Sequence, residues 1–323
     1  MIPKSILVTG ASGFVGKAVA QRLALMGMYK LILPLRTLSK DLPQGMDVIP
    51  ISDIHGQSDW KEMLNGVDLV VHAAARVHVM REQAPDALAA FRKVNVEGTL
   101  NLARQAAEAG VKRFVFISSI KVLGEGTSLG IPFTAEDVPA PSDPYGISKF
   151  EAEQGLKALA MVTNMELVII RPVLVYGPGV KANFQKMTWW LYKGIPLPFG
   201  AVRNRRSLVF LDNLVDFIVT CMNHPAAANQ TFLVSDGDDV STSDLLRKLA
   251  RGLGKPARLV PIPVWLMSVG ASALGKQALA QRFFGSLQVD LSKNQQLLGW
   301  TPPVSLDHGL SLTTQHFLDS QRT

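Results

Sequence analysis

The stretch Thr9-Gly10-Ala11-Ser12-Gly13-Phe14-Val15-Gly16 follows the apolar run Ile6–Thr9 and precedes the helix-like segment Lys17–Met26. Glycines at this spacing let the backbone turn tightly and approach a phosphate closely. A helix that begins there adds free N–H groups and the positive end of its dipole. A plain strand-to-helix turn is the alternative. We interpret the stretch as a dinucleotide site with contacts from Gly10, Ser12, Gly13, Phe14, Val15 and Gly16.

Short runs of β-branched and aliphatic residues recur along the chain, and helix-like segments separate most of them. The runs are Ile6–Thr9, Leu31–Leu35, Val48–Ser52, Leu69–His72, Phe114–Ser118, Leu167–Arg171 and Thr231–Ser235. They lack a polar face, which is typical of strands buried on both sides of a parallel sheet. The pattern predicts an α/β fold, a Rossmann-type doubly wound parallel sheet, with a smaller, mixed substrate-binding lobe toward the C-terminus.

The strand and helix pattern becomes looser in the second half of the chain, which predicts two domains. Residues 1–176 are expected to form the dinucleotide-binding domain, and 206–236 to return a helix and a strand to its sheet. Residues 177–205 and 237–323 are expected to form the substrate-binding lobe.

Composition limits the classes of protein that the chain can represent. It has 323 residues, 47% of them hydrophobic, a net charge of +7 and one cysteine, Cys221. One cysteine excludes an intrachain disulfide and a cysteine-based cluster, and no metal site is expected. The apolar stretch 261–275 is shorter than the roughly 20 residues of a membrane span. We expect a cytoplasmic protein with no transmembrane segment. Basic residues are scattered apart from Arg203–Arg206, so small anions rather than nucleic acid are the expected partners.

The end of the second predicted strand bears on the choice of cofactor. The usual fingerprint places an acid there to bind the adenosine ribose, but the residue here is Arg36. An arginine matches a 2′-phosphate, so the sequence favours NADP(H), with NAD(H) possible and a solvated arginine as the alternative. Asp53 and Ala73, Ala74 and Ala75 follow the next two strands and are expected to meet the adenine and the middle of the cofactor, unless they are ordinary loop residues.

A proton-transfer site is predicted after the helix- and strand-free segment 124–146, a length typical of binding loops. Tyr145 and Lys149 are four residues apart, on one face of a helix. A neighbouring ammonium lowers the pKa of a phenol from about 10, which suits acid–base catalysis. Ser119 follows a strand at the carboxyl edge of the sheet, where ligands of such folds bind. We therefore predict Ser119, Tyr145 and Lys149 as the catalytic residues.

Together with further motifs, these features resemble the signature set of the extended short-chain dehydrogenase/reductase family over nearly the whole chain. The further motifs are Asp53-Ile54, His72-Ala73-Ala74-Ala75, Val94–Thr99 with Asn95, and Arg171–Pro178. The chain is most similar to nucleotide-sugar epimerases, dehydratases and 4-ketoreductases, in particular bacterial 4-ketoreductases that make UDP-N-acetyl-quinovosamine or UDP-N-acetyl-fucosamine for surface polysaccharide such as lipopolysaccharide O-antigen.

The resemblance implies a role for each catalytic residue. Tyr145 would be the acid and base, Lys149 would tune it and hold the nicotinamide ribose, and Ser119 would bind the reacting oxygen. Asn95 would support the interior of the site. The cofactor contacts that the resemblance adds are Ile54, Asn95, Tyr145, Lys149 and Pro172.

The resemblance also implies a UDP-sugar substrate and a homodimer formed through helices that carry 94–109 and 145–161. Substrate contacts would come from Ser119, Lys121, Asn183, Leu197, Phe199, Arg206 and Arg282. Lys121 stands where relatives often have a small hydroxyl residue, and would either touch the sugar or face water. Leu174 stands where many relatives have an asparagine, so no substrate contact is carried over to it.

Arg36 decides the predicted reaction, because a reductase exchanges its cofactor and profits from NADPH. We predict reduction of the C4 ketone of a UDP-4-keto-6-deoxy-hexose, with a 2-acetamido group. The alternatives are an NAD-dependent UDP-hexose 4-epimerase, a non-catalytic NADP(H)-binding module, and a reductase of non-nucleotide ketones on the same fold.

The segment Val264–Phe284 is unusually apolar. We expect it to form core or a lobe interface, and contact with a partner or a membrane surface is the alternative.

Overall fold

The computed structural model describes residues 4–36, 46–77, 86–273, 275, 281 and 283–322. Its strands are β1 (Lys4–Thr9), β2 (Tyr29–Leu35), β3 (Asp47–Pro50), β4 (Leu69–His72), β5 (Arg113–Ile117), β6 (Glu166–Pro172), β7 (Leu174–Tyr176), β8 (Leu208–Phe210) and β9 (Gln230–Val234). Seven of them form a parallel sheet in the order β3-β2-β1-β4-β5-β6-β9, and β7 pairs with β8. The predicted doubly wound sheet is confirmed.

The described helices either pack on the two faces of this sheet or lie outside it. They are α1 (Phe14–Met26), α2 (Lys61–Leu64), α3 (Ala87–Arg92), α4 (Thr99–Glu108), α5 (Pro144–Met161), α6 (Ala182–Tyr192), α7 (Leu211–Asn223), α8 (Thr242–Gly252), α9 (Val264–Ala273), α10 (Ser292–Leu298) and α11 (Leu306–Ser320). A π-helical turn, Lys93–Gly98, joins α3 to α4. One core packs α1 and α7 on the sheet, and a second packs α4 and α5 on its other face.

The seven apolar runs of the sequence are the seven strands of the main sheet, with ends displaced by one or two residues. Successive side chains of a strand point to opposite faces, and both faces here are covered, so the runs have no polar side. The strand order reverses between β1 and β4, which places a crevice at the carboxyl ends of these two strands.

A third core lies outside the main sheet, around Tyr176, Phe210, Leu246 and Leu310. It joins β7 and β8 to α6, α8 and α11. β9 returns to the main sheet beside β6, as the pattern indicates. The division of the chain into two domains at the stated boundaries stays a prediction.

Between Gly124 and Asp143 the chain forms neither helix nor strand, whereas the predicted segment 124–146 extends three residues too far because α5 begins at Pro144. This loop is fixed at two points, where Thr127 pairs with Ser286 and Phe133 with Val289. The loop therefore connects the edge of the main sheet to the strand-like segment 286–289.

The apolar segment Val264–Phe284 does not behave as one unit. No residue of α9 is buried, and Trp265 is 69% exposed, so the expectation of core or lobe interface is wrong for this helix. Phe283 does pack, stacking on Phe199 with ring centroids 5.2 Å apart. Within the residues that the structure describes, no helix combines the length and apolar character needed to cross a membrane.

Candidate active site

The glycine loop lies at the carboxyl end of β1 and fits a dinucleotide diphosphate. Gly10 has a φ of +72°, and a Cβ there would lie 2.6 Å from the backbone nitrogen of Ala74. A Cβ on Gly16 would lie 2.2 Å from the carbonyl oxygen of Gly10. Both positions therefore require glycine. The first turn of α1 has neither a side-chain cap nor an acid, and Ser12 and Gly13 beside it are exposed, so its N–H groups are open to an anion.

A buried histidine ties the ends of β1 and β4 together beneath this loop. His72 Nδ1 lies 2.8 Å from the hydroxyl of Thr9, and its Nε2 lies 2.9 Å from the hydroxyl of Thr99. Burial, with a smaller contribution from the charge of Lys149, lowers the pKa of His72 to about 3. The ring is therefore neutral, and it fixes the strand from which Ala73, Ala74 and Ala75 continue, partly exposed, along the crevice.

Ser119 and Tyr145 meet at the carboxyl edge of the sheet. Ser119 follows β5, and Tyr145 lies in the first turn of α5, which begins at Pro144 after the cap Asp143. The Ser119 hydroxyl lies close enough to Tyr145 to act on its phenol. Burial and the negative charge of Asp143 raise the pKa of Tyr145 to about 12, and the nearby Ser119 hydroxyl opposes this rise with a smaller effect. The lowered pKa that the sequence suggested is wrong for Tyr145 in this structure.

Lys149 explains why the pKa of Tyr145 is not lowered. Its side chain is 1% exposed, and Nζ donates to the carbonyl oxygen of Ile117 at 2.8 Å and lies 4.4 Å above the ring of Phe116. Burial lowers the pKa of Lys149 to about 7, and the charge of Glu153 opposes that change. The Lys149 side chain is therefore directed toward β5, and its predicted role beside Tyr145 and the nicotinamide ribose stays a prediction.

A buried network beside Lys149 was missed by the sequence reasoning. Glu153 is 1% exposed, accepts 3.0 and 2.6 Å hydrogen bonds from Arg171, and accepts a third, 2.5 Å long, from Ser118. The network joins α5 to the carboxyl ends of β5 and β6. Because Glu153 is four residues beyond Lys149 on the same helix face, the spacing that singled out Tyr145 and Lys149 was a usable signal for it.

Asn95 supports the same helix from the opposite side. It lies in the π-helical turn and is 1% exposed. Its amide nitrogen donates to the hydroxyl of Ser148 and to the carbonyl oxygen of Arg76, both at 3.0 Å. Asn95 is therefore buried and ties the π-helical turn to α5. π-helical turns recur at functional sites because they redirect one side chain.

Lys121 contacts two carboxylates at the mouth of the site. Its Nζ lies 3.3 Å from Glu125 and donates to Asp143, which also caps α5. The Lys121 side chain is 29% exposed and paired with acids, and its predicted contact with the sugar stays a prediction. Asp143 and Glu125 were not anticipated, since acids in a loop carry no distinguishing pattern.

The predicted substrate contacts in the smaller lobe have different environments. Arg206 donates to the carbonyl oxygen of Gly285 at 3.1 Å, and burial lowers its pKa while the charge of Glu125 opposes this. Arg203 and Arg205 are exposed, which identifies Arg206 as the inward member of the cluster. The remaining residues are Phe199, half-buried; Leu197, buried; Asn183, exposed at the start of α6; and Arg282, which lies outside the described residues.

The remaining expected cofactor residues are Arg36 after β2, Asp53 and Ile54 after β3, and Pro172 at the end of β6, on the opposite side of the crevice. Arg36 and Asp53 have largely exposed side chains, and an Arg36 nitrogen lies 3.5 Å from a carboxylate oxygen of Asp53. Ile54 and Pro172 are buried. A carboxylate beside Arg36 opposes the binding of a further phosphate there, so the pairing weakens the argument for NADP.

A doubly wound sheet with a glycine loop at its crevice, and with serine, tyrosine and lysine at the adjoining strand edge, defines a dinucleotide-binding enzyme of the extended short-chain dehydrogenase/reductase type. The sequence profile of the NAD dependent epimerase/dehydratase family matches residues 6–235. The chain belongs to this family.

Individual relatives agree with this assignment. The chain is 50% identical to a Vibrio cholerae protein named UDP-glucose 4-epimerase, over 99% of this chain and 97% of that one. It is 26% identical to an Escherichia coli O157:H7 protein named N-acetyl-alpha-D-glucosaminyl-diphospho-ditrans,octacis-undecaprenol 4-epimerase, over 97% and 95%. A crystal structure of UDP-glucose 4-epimerase from Thermotoga maritima with UDP-glucose superposes with a TM-score of 0.77 at 25% identity, covering 98% and 99%.

Proposed function

We propose that the protein is a UDP-hexose 4-epimerase that keeps NAD bound. The observation that carries this proposal is the Ser119–Tyr145 pair above Lys149, at the end of a crevice that fits a dinucleotide. The relatives add to it, because two proteins with different carriers for the sugar are both named 4-epimerases. This is the alternative that the sequence left open, and the comparisons favour it over the 4-ketoreductase.

In this proposal the chain's own residues hold and move the proton of the sugar's C4 hydroxyl. Ser119 would hydrogen-bond the C4 oxygen, and Tyr145 Oη would take its proton as C4 is oxidised and give it back as C4 is reduced. A bound nicotinamide supplies the acceptor and donor of hydride for C4. Proton balance is thus kept within the site, and no cofactor is consumed.

Tyr145 has to lose its proton for the first half of this cycle. Its pKa of about 12 keeps it a phenol at neutral pH. A positive charge within about 6 Å favours the phenolate. Lys149, one helical turn further along α5, is the residue that we propose for this role, on turning from the carbonyl oxygen of Ile117.

The smaller lobe would hold the UDP part of the substrate. Arg206 is inward, and a guanidinium suits a diphosphate because it donates in pairs. Phe199, stacked on Phe283, would border the same site. We further propose that the buried Leu197 contacts the substrate through its backbone, and that Asn183 and Lys121 contact it through their side chains. Arg282 is retained as a second residue that would bind the diphosphate.

Arg36 favours a second candidate, the NADPH-dependent 4-ketoreductase acting on a UDP-4-keto-6-deoxy-hexose. Its guanidinium would bind the 2′-phosphate only after leaving Asp53. We also retain the predicted homodimer through α4 and α5 and the cytoplasmic location as proposals.

The deciding experiment incubates the purified protein with UDP-glucose and, separately, with UDP-N-acetylglucosamine, and identifies the products by NMR. Conversion to the C4 epimer without net formation of reduced cofactor is expected. Oxidation of NADPH in step with reduction of a UDP-4-keto sugar, and no epimerisation, would instead establish the ketoreductase. Binding of the cofactor without either reaction would indicate that the protein is a non-catalytic NADP(H)-binding module.

A further inference from the structure

The positive charge of this chain is concentrated in two segments that contain no acid. Residues 177–211 include six lysines and arginines, residues 245–289 include seven, and neither contains Asp or Glu. The rest of the chain has 20 basic and 26 acidic residues. Outside these two segments the chain therefore has a net negative charge, and the two segments are strongly positive. This difference is not visible when only the basic residues are considered, because they are spread along the sequence.

Part of this charge lies on the outer face of α6. Lys186, Trp189 and Lys193 recur at intervals of three and four residues and are exposed, so they share one side of the helix. Lys193 Nζ lies 5.8 Å from the centre of the Trp189 ring. Ile195, 38% exposed, follows the helix. This side of α6 thus combines an indole and an aliphatic side chain with ammonium groups.

The second acid-free segment runs directly beside the first. Arg258 donates to the carbonyl oxygen of Gly194 at 3.4 Å, and the backbone N–H of Val260 donates to the carbonyl oxygen of Leu197 at 2.8 Å. Arg258 is exposed and Val260 is 46% exposed. The end of α6 and residues 258–260 therefore form one continuous surface.

This surface leads into α9, which begins four residues after Val260. Trp265, Leu266 and Val269 of α9 are 69%, 49% and 61% exposed, and the helix contains no charged residue. Exposed apolar groups gathered on one helix are unusual on a monomeric surface and mark an interaction site. Because α9 has no charged face of its own, the cations that accompany a membrane-surface helix would come from α6 and Arg258.

We propose that α6, residues 258–260 and α9 form a docking face for an anionic lipid bilayer, with α9 lying among the headgroups. Lys186, Lys193 and Arg258 would meet lipid phosphates. Two other occupants fit less well. A second copy would bring two positive faces together, which repel. A nucleic acid would satisfy the cations but would not cover an apolar helix. The proposal does not depend on the reaction that the site performs.

The test measures sedimentation of the full chain with vesicles of phosphatidylcholine alone or of phosphatidylcholine and phosphatidylglycerol in equal parts. Binding to the anionic vesicles, falling as salt rises, is the expected result. Absence of binding to the anionic vesicles would overturn the proposal.

Paired variants separate the apolar and the charged contributions. We expect Trp265→Ser with Leu266→Ser to lower the partition constant by at least about tenfold, because the inserted side chains are lost. Lys186→Glu with Lys193→Glu should lower it by about tenfold or more. The control is Leu25→Ser, at an 83% exposed leucine of α1, which should leave binding unchanged.

Each variant is first compared with the wild type in thermal unfolding and in turnover of a soluble UDP-sugar without vesicles, so that misfolding is recognised. Equal vesicle binding by all variants would contradict the proposal. So would a dimer in sedimentation velocity that Trp265→Ser with Leu266→Ser converts to a monomer, since the face would then bind a second copy. Tighter binding to a DNA duplex than to anionic vesicles, unaffected by that variant, would assign the face to nucleic acid.

Discussion

The carboxylate of Glu153 accepts two hydrogen bonds from the guanidinium of Arg171, and both side chains are at most 2% exposed. This pair lies directly behind the candidate active site, because Glu153 is one helical turn from Lys149 and its third hydrogen bond comes from Ser118, the neighbour of Ser119. A buried charge that loses its partner is costly, so the pair should govern stability.

We expect Glu153→Gln to lower the free energy of unfolding by at least about 3 kcal/mol, because Arg171 would remain charged and buried without a counter-charge. Urea unfolding followed by circular dichroism measures this. Glu151→Gln is the matched control, since Glu151 lies on the same helix and pairs with Arg92 at the surface. A small, equal change in both variants would show that the buried pair is not a stability determinant.

Tyr145→Phe should reduce turnover between about one-hundredfold and ten-thousandfold, because it removes the hydroxyl that transfers the proton. Cofactor binding, measured by calorimetry, should change little, since the glycine loop is untouched. Tyr29→Phe provides the comparison, as its hydroxyl contacts Asn223 at the surface. Wild-type turnover in Tyr145→Phe would rule out this proton-transfer role.

The neutral His72 should make the fold sensitive to acid. Its pKa is about 3 in the folded protein, because of burial and then the charge of Lys149, whereas an ordinary histidine has a pKa of 6.5. Below about 6.5 the unfolded chain therefore binds a proton that the folded protein does not, and the free energy of unfolding falls by about 1.4 kcal/mol per pH unit. This contribution is fully present above pH 6.5 and is lost as the pH falls toward 3.

Urea unfolding at several pH values checks this, with His72→Asn expected to have a shallower slope than the wild type whatever its absolute stability. His308→Asn, at an exposed position of α11, should keep the wild-type slope. Parallel slopes for wild type and His72→Asn would mean that His72 is protonated in the folded state.

The pairing of Arg36 with Asp53 leads us to expect that NAD⁺ binds at least as tightly as NADP⁺. Arg36→Ala should change the Kd for NAD⁺ by less than about threefold, since the side chain is largely exposed. Calorimetric titration of both cofactors into both proteins measures this. A tenfold preference of the wild type for NADP⁺ that Arg36→Ala abolishes would favour the reductase instead.

Much of the fold could be predicted because its causes are local. Strands of a parallel sheet covered on both faces are apolar throughout, so all seven were visible as runs. Gly10 and Gly16 were visible because no other residue fits where their missing Cβ atoms would collide with backbone. The placement of Ser119 and Tyr145 at one sheet edge followed from the position of each after its strand or at the start of its helix.

The pKa of Tyr145, the partner of Arg36 and the exposure of α9 could not be predicted in the same way. Each depends on which distant groups approach. The charge of Asp143 acts on the pKa of Tyr145, whereas Lys149 is directed elsewhere, and Asp53 pairs with Arg36. No group in the described chain buries α9. Apolar composition alone made α9 look like core.

The sequence by itself determined the sheet, the glycine turn and the identity of the reactive side chains, because short-range sterics and strand periodicity act between near neighbours in the chain. Only the tertiary structure decided which of these side chains are charged, paired or exposed. Desolvation and Coulomb interactions depend on the distances between groups far apart in sequence, and those distances exist only once the chain has folded.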